Sequence, residues 1–235
     1  MLLSDVFDQL AVAEFSQHAL GNPNGAGIRE SDFATLTSHV NMGLAELHQR
    51  FPIKLAEVIV QQYEEIQRYE LHSKFAVSNT GSTEPIKYIV DSDAFPFTDN
   101  IFNIEQVFNE IGEEVRLDDD HDELSVFRPS YNILQIPYAE DENQISVIYR
   151  AGHARLPIVD VDPTQLEVDI PPTHLLALLY FVSSRYFAPF PSLNGTSLSA
   201  EYFAKYTMAC TELDKRGFSL STSTTNLKAR TNGWV

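Results

Sequence analysis

The spacing of apolar residues changes twice along the chain, from a helical period to a strand period and back. Near the start, a helix capped by Ser4 and running to about His18 is predicted. Its apolar face consists of Val6, Phe7, Leu10 and Phe15. After the glycine-rich loop Gly21–Gly27, apolar residues recur at helical steps until Pro52, which ends the second helix. That helix starts at Ser31 or Asp32 and its stripe is Phe33, Leu36, Val40, Leu44 and Leu47.

The middle of the chain has the features of β-strands. Leu55–Val60 is rich in β-branched residues, and Glu65–Leu71 is expected to pair with it. Ile101–Asn109 and Glu114–Leu117 flank a turn and predict a hairpin. Further strands are predicted at Ile86–Val90, at Gln144–Arg150, where Ile145, Val147 and Tyr149 share one face, and at Gln165–Ile170.

Helical patterns return after Pro171 and Pro172, which suit the first turn of a third helix. Its run Leu175–Val182 leaves little polar face and predicts burial on most sides. A fourth helix starts at Ser197 or Ser199 and ends at Gly217. Its stripe is Tyr202, Tyr206, Ala209 and Leu213.

The order of elements predicts an α+β fold. An antiparallel bundle of about four helices, formed by residues 1–52 and 171–217, carries an inserted antiparallel β domain at 53–170. Residues 218–235 are rich in Ser, Thr and Asn and predict an extended C-terminal arm.

Charge narrows the function classes. The net charge is −17 and the 16 Lys and Arg residues are scattered, which argues against a protein that grips nucleic acid by neutralising phosphates. Two readings of the charge stay open: it keeps the protein soluble, or it is a functional field that repels DNA. The single cysteine, Cys210, rules out an intrachain disulfide and fits a reducing compartment. The sequence shows neither a secretion signal nor an apolar run long enough to span a membrane.

The candidate chemical groups favour a protein that is not an enzyme and holds no metal or cofactor. The run Asp118–Asp122 lacks the ligand spacing of a calcium loop and is interpreted as a solvated acidic turn. The seven histidines form no zinc pattern, and Cys210 is predicted to be a core residue. Arg128, among apolar and turn residues, is expected to pair with an acidic residue of its own domain, or else across a subunit boundary.

The C-terminal arm contains the only tryptophan, Trp234, followed by the last residue, Val235. A tryptophan in a segment without its own core is a favoured anchor for docking into a partner. Lys228 and Arg230 add positive charge to an otherwise acidic chain. Partner docking is therefore favoured over an inert tail.

The chain resembles the head-to-tail adaptor (connector) proteins of short-tailed bacteriophages, the tail tubular protein A group. The residues that carry the resemblance are the opening helix with its glycine-rich loop, Asn41–Phe51, Val126–Pro137, Ile145–Tyr149 and Ile170–Pro172 followed by Leu175–Tyr186. The resemblance extends from the start nearly to Gly217.

The resemblance implies a structural protein of the virion neck, made in the host cytoplasm, with no membrane contact. It implies a ring of typically twelve copies between the portal protein and the tail nozzle protein, with DNA passing through the bore without specific binding. It also implies a helical bundle with an inserted β domain, and a C-terminal arm that reaches the portal. Residues 218–235 match that arm by position and composition.

Two other function classes stay open. A carbohydrate- or surface-binding β module would be favoured by exposed aromatic residues on one strand face, with Tyr131, Tyr138 and Tyr149 as candidates. A hydrolase would be favoured by two carboxylates that face each other across one cleft.

Overall fold

A computed structural model describes residues 1–15, 27–189 and 193–217, without the side chains of 193–196. This part of the chain has an α+β fold with four α-helices and two antiparallel sheets, as predicted. The helices are α1 (Leu3–Gln9), α2 (Glu30–Arg50), α3 (Pro172–Phe187) and α4 (Leu193–Lys215). The strands are β1 (Leu55–Gln61), β2 (Arg68–Glu70), β3 (Ile89–Val90), β4 (Ile101–Phe108), β5 (Glu114–Val115), β6 (Phe127–Ser130), β7 (Ile133–Gln135) and β8 (Gln144–Ala151).

The apolar side chains divide into two clusters. One contains residues of all four helices together with Leu156, Val168 and Ile170. The other lies between a five-stranded sheet, in the order β3-β1-β8-β4-β5, and a three-stranded sheet, in the order β2-β7-β6. In the described part of the chain, residues 3–51 and 156–213 therefore build the helical cluster, and residues 58–151 between them build the β cluster.

The first helix begins earlier than predicted and changes its hydrogen-bonding pattern before its predicted end. It begins at Leu3, after Leu2, whose N–H donates to the carboxylate of Asp5 at 2.9 Å. After Gln9 the chain continues as a π-helix over Leu10–Glu14, closed by the 2.9 Å bond from the Phe15 N–H to the Leu10 carbonyl. Residues 16–26, which include the predicted end of this helix and most of the glycine-rich loop, lie outside the described residues.

Helix α3 is buried on most sides, as its sequence predicts, and it contacts α2 and α4. Phe181 touches the ring of Tyr206 on α4 at a centroid distance of 5.3 Å. On the α2 side, Gly43 allows close approach: a Cβ there would lie 2.6 Å from Leu178 Cδ1 and 3.0 Å from Phe181 Cδ1. The absence of a side chain at Gly43 therefore sets the distance between α2 and α3. Cys210 is fully buried in this cluster, as predicted.

Two predicted features of the β domain are confirmed. Strands β4 and β5 form the expected hairpin, with Val107 opposite Val115. In β8, the alternate residues Ile145, Val147 and Tyr149 are buried and the residues between them are partly exposed. In this strand, the alternation in the sequence therefore matches the alternation of buried and partly exposed side chains.

The pairing predicted for Glu65–Leu71 is wrong. Only Arg68–Glu70 forms a strand, and it pairs with β7 in the smaller sheet instead of with β1. Tyr69 is fully buried there, and its hydroxyl donates to the Tyr63 carbonyl at 3.1 Å. The residues before Arg68 form a turn, which leaves β1 free to pair with β8 along its whole length.

The strand predicted at Gln165–Ile170 is also wrong, because this segment joins no sheet. Its backbone instead bonds the N-terminal residues: the Leu3 N–H donates to Leu166, and the Val168 N–H donates to Met1. Val168 and Ile170 are buried in the helical cluster. The alternating pattern of this segment thus reflects packing on helices.

The predicted start of α4 at Ser197 or Ser199 is wrong, because the helix begins earlier, at Leu193. Its far end agrees with the prediction. Gly217 has φ of +82°, and its N–H donates to the Asp214 carbonyl at 3.0 Å. Glycine adopts this left-handed conformation without steric cost, which explains why the helix stops there.

The close approach at Gly43 can be tested by filling it. We expect Gly43→Val to lower the free energy of unfolding by about 2 kcal/mol or more, since the new side chain would overlap Leu178 and Phe181. Ala45→Val, on the exposed face of the same helix, should cost less than about 1 kcal/mol. Urea unfolding of both variants measures the difference, and equal losses would contradict this role for Gly43.

Candidate interaction surfaces

The predicted portal-docking residues Lys228, Arg230, Trp234 and Val235 lie outside the described residues. The structure does show where their segment leaves the folded part. Asp214, three residues before Gly217, accepts a 2.6 Å hydrogen bond from the Arg50 guanidinium at the end of α2. A partly exposed ion pair therefore links the C-terminal end of α4 to the C-terminal end of α2.

Arg128 pairs inside its own domain, which is the arrangement that the sequence favoured. Its Nε and Nη2 donate to Asp118 Oδ2 at 2.8 and 2.6 Å, and its Nη1 donates to the Ile104 carbonyl at 2.6 Å. Burial alone would raise the pKa of Asp118, but the hydrogen bonds and charge of Arg128 outweigh it and hold that pKa below its ordinary value. A subunit contact through Arg128 would use a guanidinium that is already engaged internally.

The acidic turn at Asp118–Asp122 is partly neutralised by its own arginines. Besides the pair with Arg128, the Arg116 guanidinium lies 3.1 Å from Asp119 and 3.7 Å from Asp122. Among the described residues, no three His, Cys, Asp or Glu side chains are arranged to hold a metal ion. No helix in the described ranges is long and apolar enough to cross a membrane.

The three tyrosines that a carbohydrate platform would need do not share an exposed face. Tyr131 and Tyr138 are 60% and 64% exposed, but Tyr149 is only 5% exposed. The Tyr149 hydroxyl donates to Asn100 Oδ1 at 3.1 Å, inside the β domain. Tyr149 therefore belongs to the core.

The outer face of α4 is a surface that the sequence analysis missed. Phe203 and Met208 are 48% and 69% exposed there, and Ala204 and Thr207 are exposed beside them. The Thr207 and Thr211 hydroxyls donate back to helix carbonyls at 3.0 and 2.8 Å, so this face offers mainly methyl groups and sulfur. The helical period that places Tyr202 and Tyr206 inward also places these residues outward, which is the signal that could have revealed the face.

A second apolar surface lies where α2 meets the β domain. A groove of about 300 Å³ is lined there by Met42, Ala45, Phe102 and Arg155, among others. Met42 is 48% exposed. The α4 face and this α2 groove are formed by different elements, so one molecule presents two distinct apolar surfaces.

A larger groove, of about 840 Å³, follows β1, the second strand of the five-stranded sheet. Its floor is β1, and its far wall is the loop from Asp91 to Thr98. Phe95 is 84% exposed on the rim, whereas Phe97 packs inward against Tyr149. We call this the β1 groove.

A pair of histidines lies where the helical and β clusters meet. The Asp169 N–H donates to His153 Nε2 at 2.8 Å, and the buried His48 places Nε2 3.3 Å from the Asp169 carbonyl. His48 Nδ1 lies 3.2 Å from the carbonyl of Ala151, the last residue of β8. Burial lowers the pKa of both imidazoles, partly opposed by their hydrogen bonds to backbone carbonyls.

No protein-family model matches the chain, and no curated protein sequence shows significant similarity to it. The surfaces described above therefore have to be interpreted from their own chemistry. They consist of apolar faces and a half-covered strand edge, which suit contacts with other protein segments.

The histidine pair predicts a loss of stability in mild acid. A histidine whose pKa is lower in the folded protein than in the unfolded chain binds a proton more readily after unfolding. Its contribution to the free energy of unfolding is therefore complete above about pH 6.5 and is lost as the pH falls below that value. In His153, a proton on Nε2 would also end its acceptance from Asp169. We expect His153→Gln to reduce the fall in unfolding free energy between pH 7 and 5.5, by up to about 1 kcal/mol.

Chemical denaturation at several pH values measures this effect. The same pH dependence in wild type and His153→Gln would contradict the assignment.

Proposed function

We propose that this protein is a head-to-tail adaptor of a short-tailed phage, a structural virion component that forms a ring between portal and tail nozzle. The observation that carries the proposal is the construction of the molecule: both chain ends build the helical cluster, and one continuous segment between them builds the β cluster. This is the arrangement that the resemblance to adaptor proteins implies. Assembly in the host cytoplasm and incorporation into the virion follow from that role.

The finer architecture is part of the proposal. The four helices form an antiparallel bundle that carries the ring contacts, and the β domain contacts the nozzle or a neighbouring subunit. Residues 218–235 form an arm that docks on the portal, with Trp234 as its anchor and Lys228, Arg230 and Val235 beside it. The ion pair between Arg50 and Asp214 supports this, because it links the end of α4, from which the arm continues, to the end of α2.

A ring requires two different faces on each copy, because each subunit contacts its neighbours head to tail. The α4 face and the α2 groove supply such a pair of apolar surfaces. We assign Phe203 and Met208 of one copy to the neighbour's α2 groove, since exposed apolar side chains gain by leaving water. Twelve copies are expected from the resemblance.

The acidic composition supports a channel through which DNA passes without binding. A net charge of −17 on each of twelve copies would make the assembly strongly negative. Like charge repels the phosphate backbone and prevents the duplex from adhering to the bore.

The alternative, a carbohydrate- or surface-binding β module, receives less support. The exposed aromatic platform that would favour it would have to form without the buried Tyr149. The remaining candidates, Tyr131 and Tyr138, are polar-tipped side chains in different turns.

The arm is tested by measuring binding to the purified portal protein of the same virus. Trp234→Ala should weaken binding by about tenfold or more, because a buried tryptophan anchor contributes roughly 2 kcal/mol or more. A chain that ends at Gly217 should bind more weakly still. Thr231→Ala, which shortens a side chain in the same segment, should bind like wild type.

Surface-immobilised portal and a concentration series of each variant provide the affinities. Equal binding by the full chain and the chain ending at Gly217 would overturn the arm assignment. If the full chain does not bind the portal at all, the adaptor function itself is contradicted.

A further inference from the structure

The five-stranded sheet has an edge that is only half covered. Strand β1 pairs with β8 over its full length, from Leu55 to Gln61. On its other side, β3 pairs with only Ile59 and Val60 and then turns away into the Asp91–Thr98 loop. Within the described residues, Leu55–Val58 therefore has a strand neighbour on one side alone.

Successive residues of β1 direct their backbone N–H and C=O groups to opposite sides of the strand, so the known hydrogen bonds identify which groups face the open side. The Lys54 carbonyl accepts from the Ala151 N–H at 2.9 Å, so the backbone N–H and C=O groups of even-numbered residues point to the β8 side. The Gln61 N–H donates to the Tyr88 carbonyl at 2.8 Å, so odd-numbered residues face the β3 side. The N–H and C=O groups of Leu55 and Glu57 thus point into the β1 groove, where an added strand would bond them.

The side chains around this edge suit an uncharged extended segment. Leu55, Ile59 and Val90 are each at least 36% exposed, and Phe95 stands on the far rim. The Glu57 carboxylate is engaged by the Ser146 hydroxyl, and Asp91 accepts from Ser78. An exposed apolar strand edge of this kind is a template for strand addition, and proteins generally cover such edges.

The C-terminal segment follows α4, whose end is linked by side chains to the region where α2 meets the sheet. Asp214 is bonded to Arg50, and the neighbouring Gln49 carbonyl accepts from the Arg150 guanidinium at 2.7 Å. Arg150 is directly opposite Leu55 in the sheet. The 18 residues that follow Gly217 span up to about 60 Å when extended, which is enough to reach the open edge of β1 from the end of α4.

The sequence of that segment matches the groove. Residues 218–227 read Phe-Ser-Leu-Ser-Thr-Ser-Thr-Thr-Asn-Leu, with apolar and β-branched residues at alternate positions up to Thr224 and no charge. Alternation with Thr is typical of a strand that has one face on a core.

We propose that residues 218–227 add a strand to the open edge of β1 in the same chain, bonded to the backbone of Leu55 and Glu57 in the β1 groove. Main-chain hydrogen bonds hold the segment, and Phe218 or Leu220 contacts the exposed Leu55 and Ile59. The residues from Lys228 onward remain available beyond the groove, so the portal-docking residues and the edge-binding residues are separate parts of the arm.

Residue-resolved amide hydrogen exchange in the free, full-length protein tests the proposal and needs no portal, so its outcome is independent of the portal-binding test. The double substitution S221P/T222P removes one N–H of each parity and prevents strand addition. We expect the Leu55 and Glu57 amides to exchange at least about tenfold faster in S221P/T222P than in wild type. The amides of Val58 and Val60 serve as the internal check. Val60 lies on the β8 side by the same parity, and Val58 is opposite Val147 in the ladder.

The matched control is T231P/N232P, which places the same change beyond residue 227 and should leave the Leu55 and Glu57 amides protected. Equal exchange of these two amides in wild type and S221P/T222P would overturn the proposal. Protection that disappears on tenfold dilution would overturn the assignment to the same chain, because it would show that a second copy supplies the strand.

Discussion

The structure depends on a constraint at the point where the chain leaves the helices and returns to them. Strand β1 leaves α2 within five residues and β8 returns to the helical side, so the two strands must lie together: Leu55 is opposite Arg150. Arg150 strengthens this junction, since its guanidinium donates to the Gln49 carbonyl and pairs with the largely buried Glu105 at 2.7 Å. A segment inserted in this way adds a second hydrophobic cluster without interrupting the first.

The same junction determines where the functional surfaces lie. It fixes the open half of β1 next to the end of α2, and the Arg50–Asp214 pair brings the end of α4 to the same place. The histidine pair, bonded through the Asp169 backbone, lies on the other strand of the junction, beside Ala151. One region of the molecule therefore combines the attachment of the C-terminal segment, a strand edge that can accept it, and a titratable link between the two clusters.

The elements with a strong period could be predicted from the sequence, and those shaped by distant contacts could not. The α2 stripe around Leu36, Val40 and Leu44 and the alternation in β8 record burial directly. Leu166, Val168 and Ile170 alternate in the same way, but they pack on helices, because the N-terminal residues bond that segment's backbone. A period of two shows that one side of a segment is buried, and it does not show what buries it.

The candidate surfaces follow the same rule. The pairing of Arg128 with a nearby carboxylate could be predicted, because an arginine that is partly buried needs an anion. The exposure of Phe203 and Met208 could have been predicted from the helical period of α4, but no pattern in the sequence predicts the β1 groove. Its open edge exists because β3 has only two residues and the loop after it turns away, and pairing between strands 30 residues apart cannot be read from either strand alone.

We propose that copies of this chain assemble as a ring on a portal, and the mass and shape of that complex test this proposal. Full-length protein mixed with the purified portal of the same virus can be examined by native mass spectrometry and electron microscopy. We expect a ring stacked on the portal, whose added mass is a multiple of 26.5 kDa. The adaptor resemblance predicts about twelve copies in that ring. A chain that remains at 26.5 kDa beside an unchanged portal would contradict it.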